Sequence, residues 1–80
     1  MEAFLGQVNL FAFNYAPNYW LPCEGQILSI AQNSALFSLL GTMYGGDGVT
    51  TFALPDLRDK APAANLQYCI AVNGLYPPRP

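Results

Sequence analysis

A chain of 80 residues that is 52% apolar and only 10% charged makes a single domain with a thin core, since so short a chain buries only about 60–65% of the surface its unfolded form exposes. Three cations, five carboxylates and no histidine leave no basic stripe for nucleic acid, no ligand set for a structural zinc and no usual base for a serine or cysteine nucleophile. The longest mainly apolar stretch, 27–44, is broken by Ser29, Gln32, Asn33, Ser34, Ser38 and Gly41 and does not read as a membrane span; the opening Met1-Glu2-Ala3-Phe4 shows no signal peptide.

From Phe4 the apolar residues Phe4, Val8, Leu10 and Ala12 fall on even positions with Gln7 and Asn9 between them, the period of a half-buried strand. Phe11 and Phe13 then place rings on the polar face, so the second half of the strand is to be covered on both sides, by the domain's own loops or by a second subunit. Pro17 and Pro22 push their predecessors toward extended geometry and make 14–22 an ordered loop carrying Tyr15, Tyr19 and Trp20. Glu24-Gly25 follows as a tight turn, with Cys23 and 26–28 as the arms of a short hairpin.

Ser29 and Gln32 have the spacing of a capping box, and Leu36, Phe37, Leu39 and Leu40 pair at three and four apart. This spacing predicts a helix over about residues 30–40, stopped by Gly41. Tyr44-Gly45-Gly46-Asp47-Gly48 supplies turn chemistry, and the β-branched and aromatic run 49–54 reads as a strand ended by Pro55. A polar link, 58–65, precedes a last strand in which Leu66, Tyr68, Ile70 and Val72 alternate with Gln67, Cys69, Ala71 and Asn73. The proline-rich tail 76–80 offers no ladder donors where it needs them. The whole, 1–80, is one small α+β domain of about four short, mostly antiparallel strands and one helix.

The Gly45–Gly48 run lacks the Lys and helix start of a phosphate loop, which leaves Asp47 as a turn residue or a ligand contact. Asp47, Asp56 and Asp59 lack calcium-loop spacing, so neither metal nor cofactor is expected. Cys23 and Cys69 are either a disulfide, worth at most about 4 kcal/mol for so long a loop, or two buried thiols. Tyr15, Tyr19, Trp20 and Tyr44, near Asn and Asp residues, are the one constellation suited to a ligand, because a ring face stacks on a sugar or peptide while its polar tip hydrogen-bonds; Trp20 reads as core ahead of ligand contact. The shortage of charge predicts that part of the apolar surface, Phe11 and Phe13 above all, packs against another copy or a partner.

Four blocks in order carry a resemblance. They are the opening 4–17, the Trp20–Gln26 segment with its Cys23-Glu24-Gly25-Gln26, the 29–58 block ending Leu54-Pro55-Asp56-Leu57-Arg58, and the closing Leu66-Gln67-Tyr68-Cys69-Ile70-Ala71. Together they resemble the phage tail-collar domain family, including its microcystin-dependent protein branch. The resemblance implies a domain of trimeric fibres that adhere to a host surface. Members usually carry a long insertion after the Leu-Pro-Asp-Leu-Arg block, and here only Asp59–Asn65 joins Arg58 to Leu66. Phe13 stands where the family usually has Gly, and Glu24 where it has Asp or Asn.

The expectation is a non-enzymatic, adhesin-like module that forms a homotrimer through Phe11 and Phe13. It would recognise a cell-surface glycan or receptor through Tyr15, Tyr19, Trp20, Tyr44 and Asp47. The alternative is a purely structural piece that caps, joins or trimerises a fibre. Its partners would be itself and other tail or fibre proteins, in a phage tail, a tail-like particle, or at the cell surface by a non-classical route.

Overall fold

The computed structural model describes residues 3–78. Met1 and Glu2, part of the opening read for a signal, and Arg79 and Pro80 of the tail lie outside the described residues. Five strands and one helix follow in the order β1 (Val8–Phe11), β2 (Trp20–Pro22), β3 (Ile27–Ser29), α1 (Ser34–Leu40), β4 (Thr51–Ala53) and β5 (Gln67–Ala71). They form a small α+β domain with two antiparallel sheets, one ordered β1-β5-β2 and the other β3-β4.

β5 is the central strand, and its register explains its composition. On one face Val8 and Leu21 flank Ile70, and on the other Asn9 and Pro22 flank Cys69 while Trp20 lies opposite Ala71. Cys69, Ile70 and Ala71 are all fully buried, so both faces of β5 are covered and small residues fit where the cover is close. Ile70 joins Leu5, Cys23, Leu36, Phe52 and Leu54 in the core. Phe37 of the helix lies against Phe52, ring centroids 5.4 Å apart. Fully burying a side chain such as Phe52 is worth about 1.5–3 kcal/mol, a large share of what so small a domain has.

The expected Cys23–Leu28 hairpin does not form. Its turn is real, with a Glu24–Asp56 bridge and Gly25 N–H donating to the Pro55 carbonyl at 3.3 Å, but the arms part, β2 joining β5 and β3 joining β4. Long-range pairing with two buried partners outweighs a three-residue local hairpin.

The helix is shorter than the 30–40 expected, because the capping box is not made. Ser29 pairs with Thr51 in the β3–β4 ladder, and Ile30 N–H donates to the Thr50 carbonyl at 3.0 Å, which holds the chain extended where the box would need it to coil. A turn closes instead from Asn33 N–H to the Ile30 carbonyl, and the Asn33 amide donates to the Ser29 carbonyl. Gly41 ends the helix as expected, its N–H reaching the Phe37 carbonyl at 2.7 Å.

Beyond the helix the chain turns back over β4, where Gly45 accepts from Ala53 N–H at 3.1 Å. Gly46 is required here: it holds φ +93°, and a Cβ on it would run into the Cα of Phe52 and the Thr51 carbonyl. The glycine run therefore serves backbone packing over the core strand.

Candidate functional site

The first strand and the loop after it line up their rings. Tyr15, Phe13 and Phe11 follow one another with centroids 4.7 and 5.1 Å apart, and Phe11 meets Trp20 edge-on at 5.1 Å. These separations suit tilted and T-shaped pairs. Residues expected to serve an interface, Phe11 and Phe13, and residues expected to serve a ligand, Tyr15 and Trp20, are thus one continuous array. Phe13 is exposed, and Tyr15, at its outer end, is 64% exposed. The domain's own loop covers this face only in part.

Trp20, half-buried, links the array to a cleft of about 530 Å³ between the Asn18–Trp20 turn and the Asn73–Leu75 turn. Tyr19 forms one rim, 67% exposed, and is the only non-glycine residue at positive φ, 70°, among the described residues. Its carbonyl accepts Val72 N–H at 2.8 Å, and Trp20 N–H reaches the Pro17 carbonyl at 3.0 Å. The facing turn is pinned by Leu75 N–H to the Ala3 carbonyl and by Leu5 N–H to the Leu75 carbonyl. Gly74 passes so close to Ala3 that a Cβ would overlap the Ala3 carbonyl. Among the described residues, the side-chain amides of Asn18 and Asn73, the Tyr19 hydroxyl and the Trp20 indole N–H have no partner.

Asn73, Gly74 and Leu75 carry no local signal that would have marked them. They lie more than fifty positions from Tyr19 in the chain, and only the ladder of β2 on β5 brings the two turns together.

Asp47 is placed elsewhere and is occupied. Its Oδ1 accepts the N–H groups of Val49, Thr50 and Thr51 at 2.8–3.0 Å, and its Oδ2 accepts the Thr50 hydroxyl at 3.0 Å. These bonds, Thr51 N–H first, hold its carboxyl well below the usual carboxylate range. It is the organiser of the turn into β4. Tyr44 is exposed in the same helix-to-strand segment, and neither it nor Asp47 lines the cleft.

The remaining candidates are structural in their surroundings. Asp56 receives both Arg58 Nε and Nη2, at 2.9 and 2.7 Å, and that fork lowers its carboxyl to about 2. Both side chains are well exposed, where such a pair adds little stability. Cys23 and Cys69 are buried free thiols. Cys69 stands opposite Pro22, whereas Cys23 N–H bonds to the Tyr68 carbonyl, so the ladder sets the two residues one step out of register. Burial, and then Cys69, push the Cys23 thiol up to about 11, while Gln67 Nε2 donates to Cys69 Sγ at 3.3 Å.

Among the described residues, no three His, Cys, Asp or Glu side chains gather to hold a metal ion, and no helix is long and apolar enough to cross a membrane. A family model described as Phage Tail Collar Domain matches residues 6–62, which include the whole aromatic array and the Gly45–Arg58 block. No curated protein matches the chain.

Proposed function

The chain belongs to the phage tail collar domain family, whose members are structural modules of tail fibres, and from that premise we propose that it is a non-enzymatic, homotrimeric fibre module that also contacts a surface glycan. It assembles with its own copies and with other tail proteins in a tail or tail-like particle, or at a cell surface reached by a non-classical route. The resemblance of the closing block from Leu66, beyond the matched residues, supports the microcystin-dependent branch.

One observation carries the assembly half. The first strand and its loop leave several apolar side chains open: Phe4, Val8, Leu10, Phe13 and Tyr15 are all exposed. β1 is also a sheet edge, with backbone groups open to pairing. The contiguous part, the Phe11–Phe13–Tyr15 rings, lies beside that open edge and suits an interaction site, and three copies arranged head to tail would close a ring. Sedimentation velocity at micromolar concentration tests this. The trimer has a mass of three times 8.7 kDa, about 26 kDa, and Phe13→Asp should return it to the single chain.

The glycan half is supported by the polar groups left without partners around Tyr19 and Trp20. Binding on a glycan array that is lost with Tyr15→Ala or Tyr19→Ala would support it. A stable trimer that retains no glycan would leave the purely structural reading, which the internal use of Asp47 favours at its end of the molecule.

A further inference from the structure

We propose that the cleft between the Asn18–Trp20 turn and the Asn73–Leu75 turn binds an uncharged saccharide, stacked on a ring of Tyr19 or Trp20 and hydrogen-bonded to the two asparagine amides. This site presupposes the glycan reading above and narrows it to one place and one charge class.

The volume, about 530 Å³, lies within the range of small-ligand sites. A pyranose offers an apolar C–H face and a rim of hydroxyls, each both donor and acceptor. The cleft offers the matching halves. Tyr19 and Trp20 supply ring faces, and each Asn amide, exposed and without a partner among the described residues, supplies a donor and an acceptor. The opposite wall includes Gly74, whose missing side chain leaves room for the Ala3 carbonyl, so the two backbone segments there pack closely and hold the wall in place.

The charge class follows from what lines the cleft. Among the described residues its walls carry no charged side chain, and Arg58 is engaged with Asp56 in the segment after β4. Against those walls a carboxylate, sulfate or phosphate on the sugar would lose water and meet no counter-charge. The φ of 70° at Tyr19 belongs to the turn closed by Trp20 N–H on the Pro17 carbonyl, with the Tyr19 carbonyl held by Val72 N–H, and that turn leaves the ring exposed at the rim of the cleft.

Trp20 is the chain's single tryptophan, so its emission reports on the cleft directly. The full chain is titrated with chitotetraose, maltotetraose and a mannose tetrasaccharide as neutral probes, and with sialyllactose and trigalacturonate as acidic ones, while backbone amide shifts are recorded. The proposal expects at least one neutral probe to change Trp20 emission and to shift amides in 18–20 and 73–75. Tyr19→Gly, which removes the ring and suits the positive φ, and Asn73→Asp, which adds a charge, should each weaken that binding at least tenfold without lowering the melting temperature. Binding of a neutral probe with shifts confined to 42–50 would overturn the cleft and leave the glycan reading standing. Binding of acidic probes alone would overturn the charge class, and no binding by any probe would remove both.

Discussion

The Asp47 turn and the Tyr19 cleft are built from the same kinds of residue and put them to opposite use. In the turn every oxygen of Asp47 is taken by Val49, Thr50 and Thr51, and Gly46 lies flat on the Phe52 backbone. In the cleft the exposed amides of Asn18 and Asn73 have no partner among the described residues, and Tyr19 sits at positive φ in its turn with its ring in solvent. The turn uses its polar groups for its own stability and the cleft does not. Exposed amides beside exposed rings are what the proposed ligand site requires, and the internally satisfied turn marks where the domain holds together.

The largest effect lies at the satisfied end. Phe52→Ala should cost about 3–5 kcal/mol, comparable to all the stability a domain this small commands, so circular dichroism should find the variant unfolded at room temperature. Gly46→Ala should approach it, since the new Cβ has no space beside Phe52 and φ +93° suits no other residue. A folded Gly46→Ala variant with an unchanged melting temperature would mean that the turn does not rest on β4.

Acid gives the next effect. The folded-state value of Asp47 lies below its ordinary value of 3.8, so its contribution is complete above that value and is lost as the pH falls through the folded value. Thermal melts should drop between about pH 4 and about pH 2, with Asp56, near 2 through Arg58, adding at the lower end. Asp47→Asn keeps an acceptor but not the titration, so its melting temperature at neutral pH should fall and its acid sensitivity should flatten. An acid slope identical to that of the parent would take Asp47 out of the turn's support.

Much of the satisfied end was legible because its signals are local. The apolar spacing of Leu36 to Leu40 with Gly41 as stop, the strand through Phe52, and the last strand all appear where their patterns put them. Ser29 misled because a cap and a ladder position have the same chemistry, and its pairing with Thr51 is decided more than twenty residues away. The hairpin at Gly25 failed for the same reason: its arms answer to β5 and β4. The cleft was half legible, through Tyr19 and Trp20. Its other wall, Asn73 to Leu75, becomes visible only once β5 lies between β1 and β2.

The smallest effects sharpen the contrast from the open end. Tyr19→Gly should leave stability unchanged or raise it by up to about 1 kcal/mol, because relief of the positive φ offsets a lightly packed ring; a clear loss in urea unfolding would make Tyr19 a structural residue. For the thiols, the offset of Cys23 against Cys69 predicts that both remain free. Unfolding with an alkylating agent and no reductant should then add two labels by mass, and a chain that takes none would mean that the sheet shifts to bridge them.

The central claim, that so apolar a surface is completed by copies of itself along β1 and the Phe11–Phe13–Tyr15 array, is tested most directly by solution mass. Sedimentation velocity from one to one hundred micromolar should show a species of about 26 kDa that Phe13→Asp dissociates. A soluble, monodisperse particle of 8.7 kDa throughout that range would contradict it.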